Sequence, residues 1–304
     1  MKNMHDLIII GAGPAGITAA VYAARKKMGF IVVSKDIGGQ TAWSGDVENY
    51  TGYQFITGPE LAHKFQEHMQ HYDVGLRENE SVSGVSKTGD KILVVTDKGE
   101  YEARTVIIAS GKRTRELNVP GEQEFKNRGL TYCATCDGPL FADKNVAVIG
   151  GGNSALDATL QLIKIAKHIH LINIVSGLTG DPIMREQVEA SDRVSIINNV
   201  KVSAVLGNKF VNAIKIKKED REETIDVEGV FVEIGLIPNS DFIKDVEKNE
   251  LGEIKVSLRN ETTQPAIFAA GDVTDVPEKQ IIIAAGEGSK ACLSAFRYLA
   301  THRF

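Results

Sequence analysis

Cysteine is scarce in this chain, three among 304 residues. That is too few for the disulfide framework of a small secreted domain, and it points to a reducing, cytoplasmic setting. No excess of positive charge exists either: 35 Lys and Arg stand against 40 Asp and Glu, a formal net charge of -5. A broad cationic field for a phosphate backbone is therefore missing, and nucleic acid is excluded as the expected partner. Long apolar runs are absent too, so no membrane span is expected. The opening Met1–Ala24 superficially resembles a secretory signal, but Gly11, Gly13, Pro14 and Gly16 break its apolar run and almost no basic region precedes it. Low-complexity tracts and short-period repeats are missing as well. What remains, 42% hydrophobic and 25% charged residues with 29 glycines, describes a globular chain with many tight turns, long enough for two domains.

The pattern of elements is α/β. Asp6–Ile10 is a short buried-strand run, followed by Gly11-Ala-Gly-Pro-Ala-Gly16 and a helical pattern over Ile17–Arg25. The same order returns at Asn145–Ile149, Gly150-Gly-Gly-Asn-Ser-Ala155 and Leu156–Ala166, so two nucleotide-binding units are expected. Between them Gly58-Pro59 opens a helix with Leu61, Phe65, Met69 and Tyr72 on one face; His63, His68 and His71 on it read as solvated. Ser81–Val85 and Lys91–Thr96 read as a hairpin. The charge run Lys215–Glu223 reads as a hairpin tip between strands Val211–Ile216 and Thr224–Val232.

Each motif asks for particular chemistry. Gly11, Gly13 and Gly16 permit a tight turn, close approach of the backbone to a pyrophosphate and close helix-to-strand packing, with a helix N-terminus facing the phosphates. Ile267–Asp272 ends a buried run in Gly-Asp, where a carboxylate can bond ligand hydroxyls or simply serve a turn. Gly150, Gly152 and Ala155 repeat the fingerprint. The next strand, His168–Ile172, runs instead into Asn173-Ile-Val-Ser-Gly-Leu-Thr179, which has neither the acid that pairs with an NAD ribose nor the basic cluster that takes the phosphate of NADP. Cys133-Ala-Thr-Cys136-Asp137 places two thiols one helical turn apart, able to cycle between dithiol and disulfide, with Asp137 as proton donor or acceptor. A structural zinc site would need two further ligands, and no second Cys-x-x-Cys or Cys/His pair follows. Cys292, in the periodic run Ala284–Leu299, reads as a small buried helix residue.

These residues, together with Gly38-Gly-Gln40, Val47-Glu-Asn49, Pro120-Gly121, Gly235-Leu-Ile-Pro238 and Lys279-Gln-Ile-Ile282, resemble the low-molecular-weight thioredoxin reductase family over essentially the whole chain. The related flavoprotein component of alkyl hydroperoxide reductase is similar too. The resemblance implies two Rossmann-like domains, the second inserted into the first: an FAD domain from 1–112 and 241–304, and a redox-disulfide domain from 113–240. It implies FAD on Gly11, Gly13, Pro14, Ala15, Gly16, Gly39, Gln40, Asn49, Gly111, Gly271, Asp272, Gln280 and Ile281. It also implies Cys136 as the thiol nearest the flavin, Cys133 as the one that attacks a thioredoxin-like partner, Asp137 as acid/base, and a homodimer. Members using NADPH carry His-Arg-Arg-x-x-x-Arg where this chain has Asn173, Ile174, Val175 and Thr179, so the chain most resembles members that take electrons from ferredoxin. Arg25, Lys26, Lys27 and Lys35 are then candidates for a ferredoxin-docking patch. Two other readings fit the same residues: NADH-dependent reduction with Asn173 on the ribose, and a flavin-based redox sensor.

Overall fold

A computed structural model describes residues 4–44, 46–219 and 221–302, without the side chains of Asp46 and Cys136. The chain forms two compact units, Met1–Arg113 with Ile237–Phe304, and Thr114–Leu236.

The first unit is built on a central strand, His5–Ala12, with Phe30–Ile37 and Glu100–Ile108 parallel to it on either side. Gly75–Glu78 extends one edge, and Ile267–Ala269 pairs with the far half of Glu100–Ile108. The expected hairpin is present as Val82–Thr88 and Lys91–Thr96. Both faces of this sheet are covered, which is why His5–Ala12 is a continuous apolar run rather than an alternating one. Leu7 and Ile9 face one core with Ala19, Ala20 and Ala23, and Ile8 and Ile10 face another with Val94 and Val106. Helices Pro14–Arg25 and Ile281–Thr301 share the first core through alanines and glycines, which lets their backbones approach closely. A Cβ on Gly288 would lie 2.0 Å from the Ala15 carbonyl oxygen. Cys292 is fully buried there, and burial pushes its thiol up to about 12, so it is inert packing.

The second unit has a five-stranded parallel sheet in the order Leu130–Thr131, Gly229–Val232, Asn145–Ile149, His168–Ile172, Val194–Ile197. Beside it Lys201–Gly207, Val211–Lys218 and Arg221–Asp226 form an antiparallel meander. The expected single strand Thr224–Val232 is thus two strands in different sheets. Val227 is buried at the break, and Gly229 lies under the Phe141 ring, where an added Cβ would come within 2.4 Å. Of the charge run, Asp220 lies outside the described residues. His63, His68 and His71 are exposed, and among the described residues no His, Cys, Asp and Glu group is arranged to hold a metal ion. Among the same residues no helix is long and apolar enough to cross a membrane.

Candidate functional site

All the residues expected to hold FAD lie in the first unit, and the structure divides the work among its three fingerprint glycines. Gly11 has φ +104° and passes so close to its neighbour strand that a Cβ would sit 2.3 Å from the Ala109 carbonyl oxygen. A Cβ on Gly16 would lie 1.8 Å from the Gly11 oxygen. These two serve packing. Gly13 differs: a Cβ there meets nothing within 4 Å, so its missing side chain leaves room for something that is not protein. The helix it opens has Pro14 in its first turn, no side-chain cap and no acidic residue there. Helix Gly58–Gln70, by contrast, satisfies its own first turn with a Thr57/Glu60 capping box. An uncapped N-terminus beside open space is the donor set a pyrophosphate requires.

Other segments converge on this turn. Gly39, with φ +53°, brings its Cβ position within 3.3 Å of the Gly13 Cα, and that of Gly271, with φ +75°, lies 3.0 Å from the Ala15 Cβ. Gln40 donates to the Lys112 carbonyl at 3.0 Å, next to Gly111, and Asn49 donates to Gln280 Oε1 at 3.0 Å, just before Ile281 starts the last helix. Burial raises the Asp272 carboxyl, and Lys279 and Lys112 partly offset this. No described residue hydrogen-bonds the Asp272 carboxylate, so a ligand hydroxyl would relieve its desolvation. These features fit FAD. Sequence reasoning missed the ion cluster beside it: Glu253, 8% exposed by side chain, takes Lys112 at 2.9 Å and Lys279 at 3.1 Å. Burial opposes the Glu253 charge, but its bonds from Lys112, Asn249 and Lys279 prevail and hold it at about 2.

Of the four candidate docking residues, Lys35 stands apart from the other three. Arg25 ends helix Pro14–Arg25, and Lys26 and Lys27 lead into the start of strand Phe30–Ile37. Lys35 is near that strand's other end, where Gly38 N–H bonds the Ala12 carbonyl beside the glycine turn. A helix of 12 residues rises about 18 Å, so Arg25–Lys27 sit at the edge of the sheet opposite the turn.

In the second unit Gly152 is open like Gly13, its Cβ position 3.9 Å from the Thr179 hydroxyl, and helix Asn153–Ile163 has no side-chain cap, but the segment that follows the next strand is tied to this turn. Asn173 is 2% exposed, and its Nδ2 donates to the Gly177 carbonyl at 2.8 Å and to Asn198 Oδ1 at 3.2 Å. Its Oδ1 accepts from Val175 N–H and lies 2.5 Å from where a Gly151 Cβ would be. Thr179 N–H bonds the Gly151 carbonyl at 2.7 Å, and Asp181 N–H bonds Asn153 Oδ1 at 2.7 Å. Segment 173–181 is therefore tied to the turn, and both N–H donors of the Asn173 amide are in use. Glu233 stands at the same turn, its carbonyl oxygen 2.1 Å from a Gly150 Cβ position. Burial, with repulsion from Asp157, raises its carboxyl to about 8.

A carboxyl raised by folding takes up a proton, so the stability it permits is full below its ordinary value of 4.5 and declines as pH climbs towards 8. Glu233→Gln removes that decline. It should raise the melting temperature more at pH 8 than at pH 5, with roughly 3 kcal/mol at pH 7 as the upper figure. Thermal scans of both proteins at the two pH values would measure it, and an equal shift at both would contradict the assignment.

Cys133 is in a disulfide and immediately precedes a single helical turn, Ala134–Asp137. A turn of four residues adds little dipole. Cys136 lies in this turn, with its side chain outside the described ones. Thr131, buried at the end of strand Leu130–Thr131, donates its hydroxyl to Asp137 Oδ2 and accepts from Cys133 N–H at 3.2 Å. Tyr132 donates to Glu122 Oε1 at 2.8 Å; burial first, then that carboxylate, pushes its phenol far up. Thr131 and Tyr132 were not singled out in the sequence, where only their nearness to Cys133 marks them.

A family model described as pyridine nucleotide-disulphide oxidoreductase matches residues 5–288. The F component of alkyl hydroperoxide reductase from Pseudomonas putida is 42% identical over 98% of this chain, which spans 59% of that relative's length. The crystal structure of Lactococcus lactis thioredoxin reductase in its FR conformation has a TM-score of 0.92 at 32% identity, covering 98% of this chain and 100% of that one. A ferredoxin-flavin thioredoxin reductase from Clostridium acetobutylicum gives 0.55 at 29% identity, over 98% and 99% of the two chains.

Proposed function

The chain belongs to the pyridine nucleotide-disulphide oxidoreductase family, and from that premise we propose that it carries electrons from ferredoxin, through FAD, to Cys133 and Cys136 and on to a thioredoxin-like protein disulfide. The coarser activity stands on its own: this is an FAD-binding disulfide oxidoreductase of thioredoxin reductase type. The observation that supports the choice of donor is the residue set that follows the second glycine turn: Asn173 is buried with both amide N–H groups bonded to Gly177 and Asn198, and no Lys, Arg, Asp or Glu stands between it and Asp181. A donor that docks as a protein needs no nicotinamide site. The Clostridium acetobutylicum neighbour supports this, since its structure is that of a ferredoxin-flavin enzyme.

Bound FAD supplies a carrier that takes electrons from the donor and delivers two to a disulfide. Gly13 would leave the pyrophosphate room at the uncapped start of helix Pro14–Arg25, and Asp272 would hold a hydroxyl of the cofactor. Reduction opens the cysteine disulfide to two thiols. The Cys133 sulfur then attacks the partner's S–S bond, one partner sulfur leaves, and a mixed disulfide forms. Asp137 takes the Cys133 proton and returns it to the departing sulfur. Attack by Cys136 on the mixed disulfide releases the partner as a dithiol and restores the original disulfide. The proposal includes a cytoplasmic homodimer.

A specific observation favours one other reading. The 42% identity to the Pseudomonas putida alkyl hydroperoxide reductase component fits an NADH-dependent reductase of that type. It would need the 173–181 segment to release Asn173 to a ribose. Steady-state reduction of oxidised thioredoxin with each donor in turn separates the two readings.

The cofactor assignment has its own test. Gly13→Val should leave the fold intact, because its Cβ meets no protein atom, yet displace the pyrophosphate. Losing two charge-assisted hydrogen bonds at roughly 1.5–3 kcal/mol each weakens FAD binding at least ~100-fold. Absorbance of the purified variant reads this directly, and a fully yellow Gly13→Val protein would refute the site.

A further inference from the structure

We propose that Thr131 is a positioning residue for disulfide exchange, holding Asp137 in register with Cys133; this rests on the reading of Asp137 as the proton carrier. The Thr131 hydroxyl has one proton to donate. Cys133 N–H can only donate, so at that contact the Thr131 oxygen must accept. Its proton is then left for Asp137 Oδ2, which accepts it. The direction of both bonds is thereby fixed. Asp137 N–H bonds the Cys133 carbonyl at 3.2 Å, closing a ring of three residues. Thr131 is 6% exposed, so little water competes for its hydroxyl.

The balance of the exchange shows what this orientation serves. A proton leaves the attacking Cys133 thiol as its sulfur bonds to one partner sulfur, the partner's S–S bond breaks, and the proton must reach the departing sulfur. No net proton is consumed. With Oδ2 occupied by Thr131, Oδ1 is the oxygen left to carry it, and no described residue bonds Oδ1. Thr131→Val keeps the shape and removes both bonds, leaving Asp137 free to rotate and Cys133 N–H without its acceptor.

The test uses FAD-loaded protein reduced with dithionite, mixed with oxidised thioredoxin in single turnover, so that the identity of the donor plays no part. A positioned proton carrier contributes typically 10²–10⁴-fold. Thr131→Val should lower the saturating rate about 10- to 100-fold with an unchanged half-saturating thioredoxin concentration. Thr131→Ser, which retains the hydroxyl, should recover to within about threefold of the parent. Because Thr131 acts through Asp137, adding Thr131→Val to Asp137→Asn should slow the reaction no further. A parental rate in Thr131→Val while Asp137→Asn is slow would overturn this inference alone, as would a Thr131→Ser variant as slow as Thr131→Val. A parental rate in Asp137→Asn would overturn the underlying reading, and the inference with it.

Discussion

Cys133→Ser is expected to abolish reduction of protein disulfides while leaving FAD content and fold unchanged. The attacking atom must be a thiolate, and a serine hydroxyl is neither ionised near neutral pH nor able to hold a mixed disulfide. The remaining rate should therefore fall below about one thousandth of the parent, the scale on which loss of a covalent nucleophile registers. The fold should tolerate the change, because the helical turn after Cys133 is held independently: Asp137 N–H bonds the Cys133 carbonyl, and Thr135 Oγ1 donates to Gln161 at 2.9 Å. Turnover of oxidised thioredoxin, beside the flavin absorbance of the same sample, measures both halves. Appreciable turnover in the variant would make the Cys-x-x-Cys pair structural.

The second large effect concerns a ligand rather than a variant. NADPH should bind the second unit about three orders of magnitude or more too weakly for use. Its additional phosphate would meet Asn173, Ile174, Val175 and Thr179 where arginines would be required, forfeiting two or three charge-assisted bonds at roughly 1.5–3 kcal/mol each. NADH avoids the unpaired phosphate but finds no acid, and the Asn173 amide is already bonded to Gly177 and Asn198. The raised Glu233 carboxyl at the same turn offers a pyrophosphate no positive charge. Titration of the oxidised protein with either nucleotide, followed by fluorescence quenching, should show no saturation below millimolar concentration. A micromolar Kd for NADPH would mean that segment 173–181 opens.

How far the sequence revealed this arrangement depends on the range of each contact. The two strand-turn-helix units were legible because their signals are local: an apolar run, a glycine spacing and a helical period within about twenty residues. Which glycine packs and which leaves room was not legible, since Gly11 is fixed by Ala109 and Gly13 is defined by what does not touch it. The absence of an acid or base after His168–Ile172 could be read directly. That the following segment folds back onto the turn could not, because Thr179 reaches Gly151 across 28 positions. The Lys112–Glu253 pair spans 141 positions and left no trace in any local pattern. That Lys35 would stand apart from Arg25, Lys26 and Lys27 was not legible either, because the strand between them carries it to the other end of the sheet. The single strand expected over Thr224–Val232 failed because its local pattern does not reveal that one strand ends at Asp226 and another begins, in a different sheet, at Gly229. Thr131 was overlooked because a lone threonine near a cysteine has many ordinary uses, and only its two oriented hydrogen bonds single it out.

The central claim, electron delivery to a protein disulfide through FAD without a nicotinamide, is tested most directly by anaerobic spectrophotometry of the FAD-loaded protein. NADPH, NADH and reduced ferredoxin are offered in turn, with oxidised thioredoxin present and its free thiols counted afterwards. Rapid loss of the flavin absorbance with reduced ferredoxin alone, accompanied by thiol production beyond one equivalent, is the predicted result. Rapid flavin reduction by micromolar NADPH or NADH, coupled to the same thiol production, would contradict the account and return the chain to the nicotinamide-dependent members of its family.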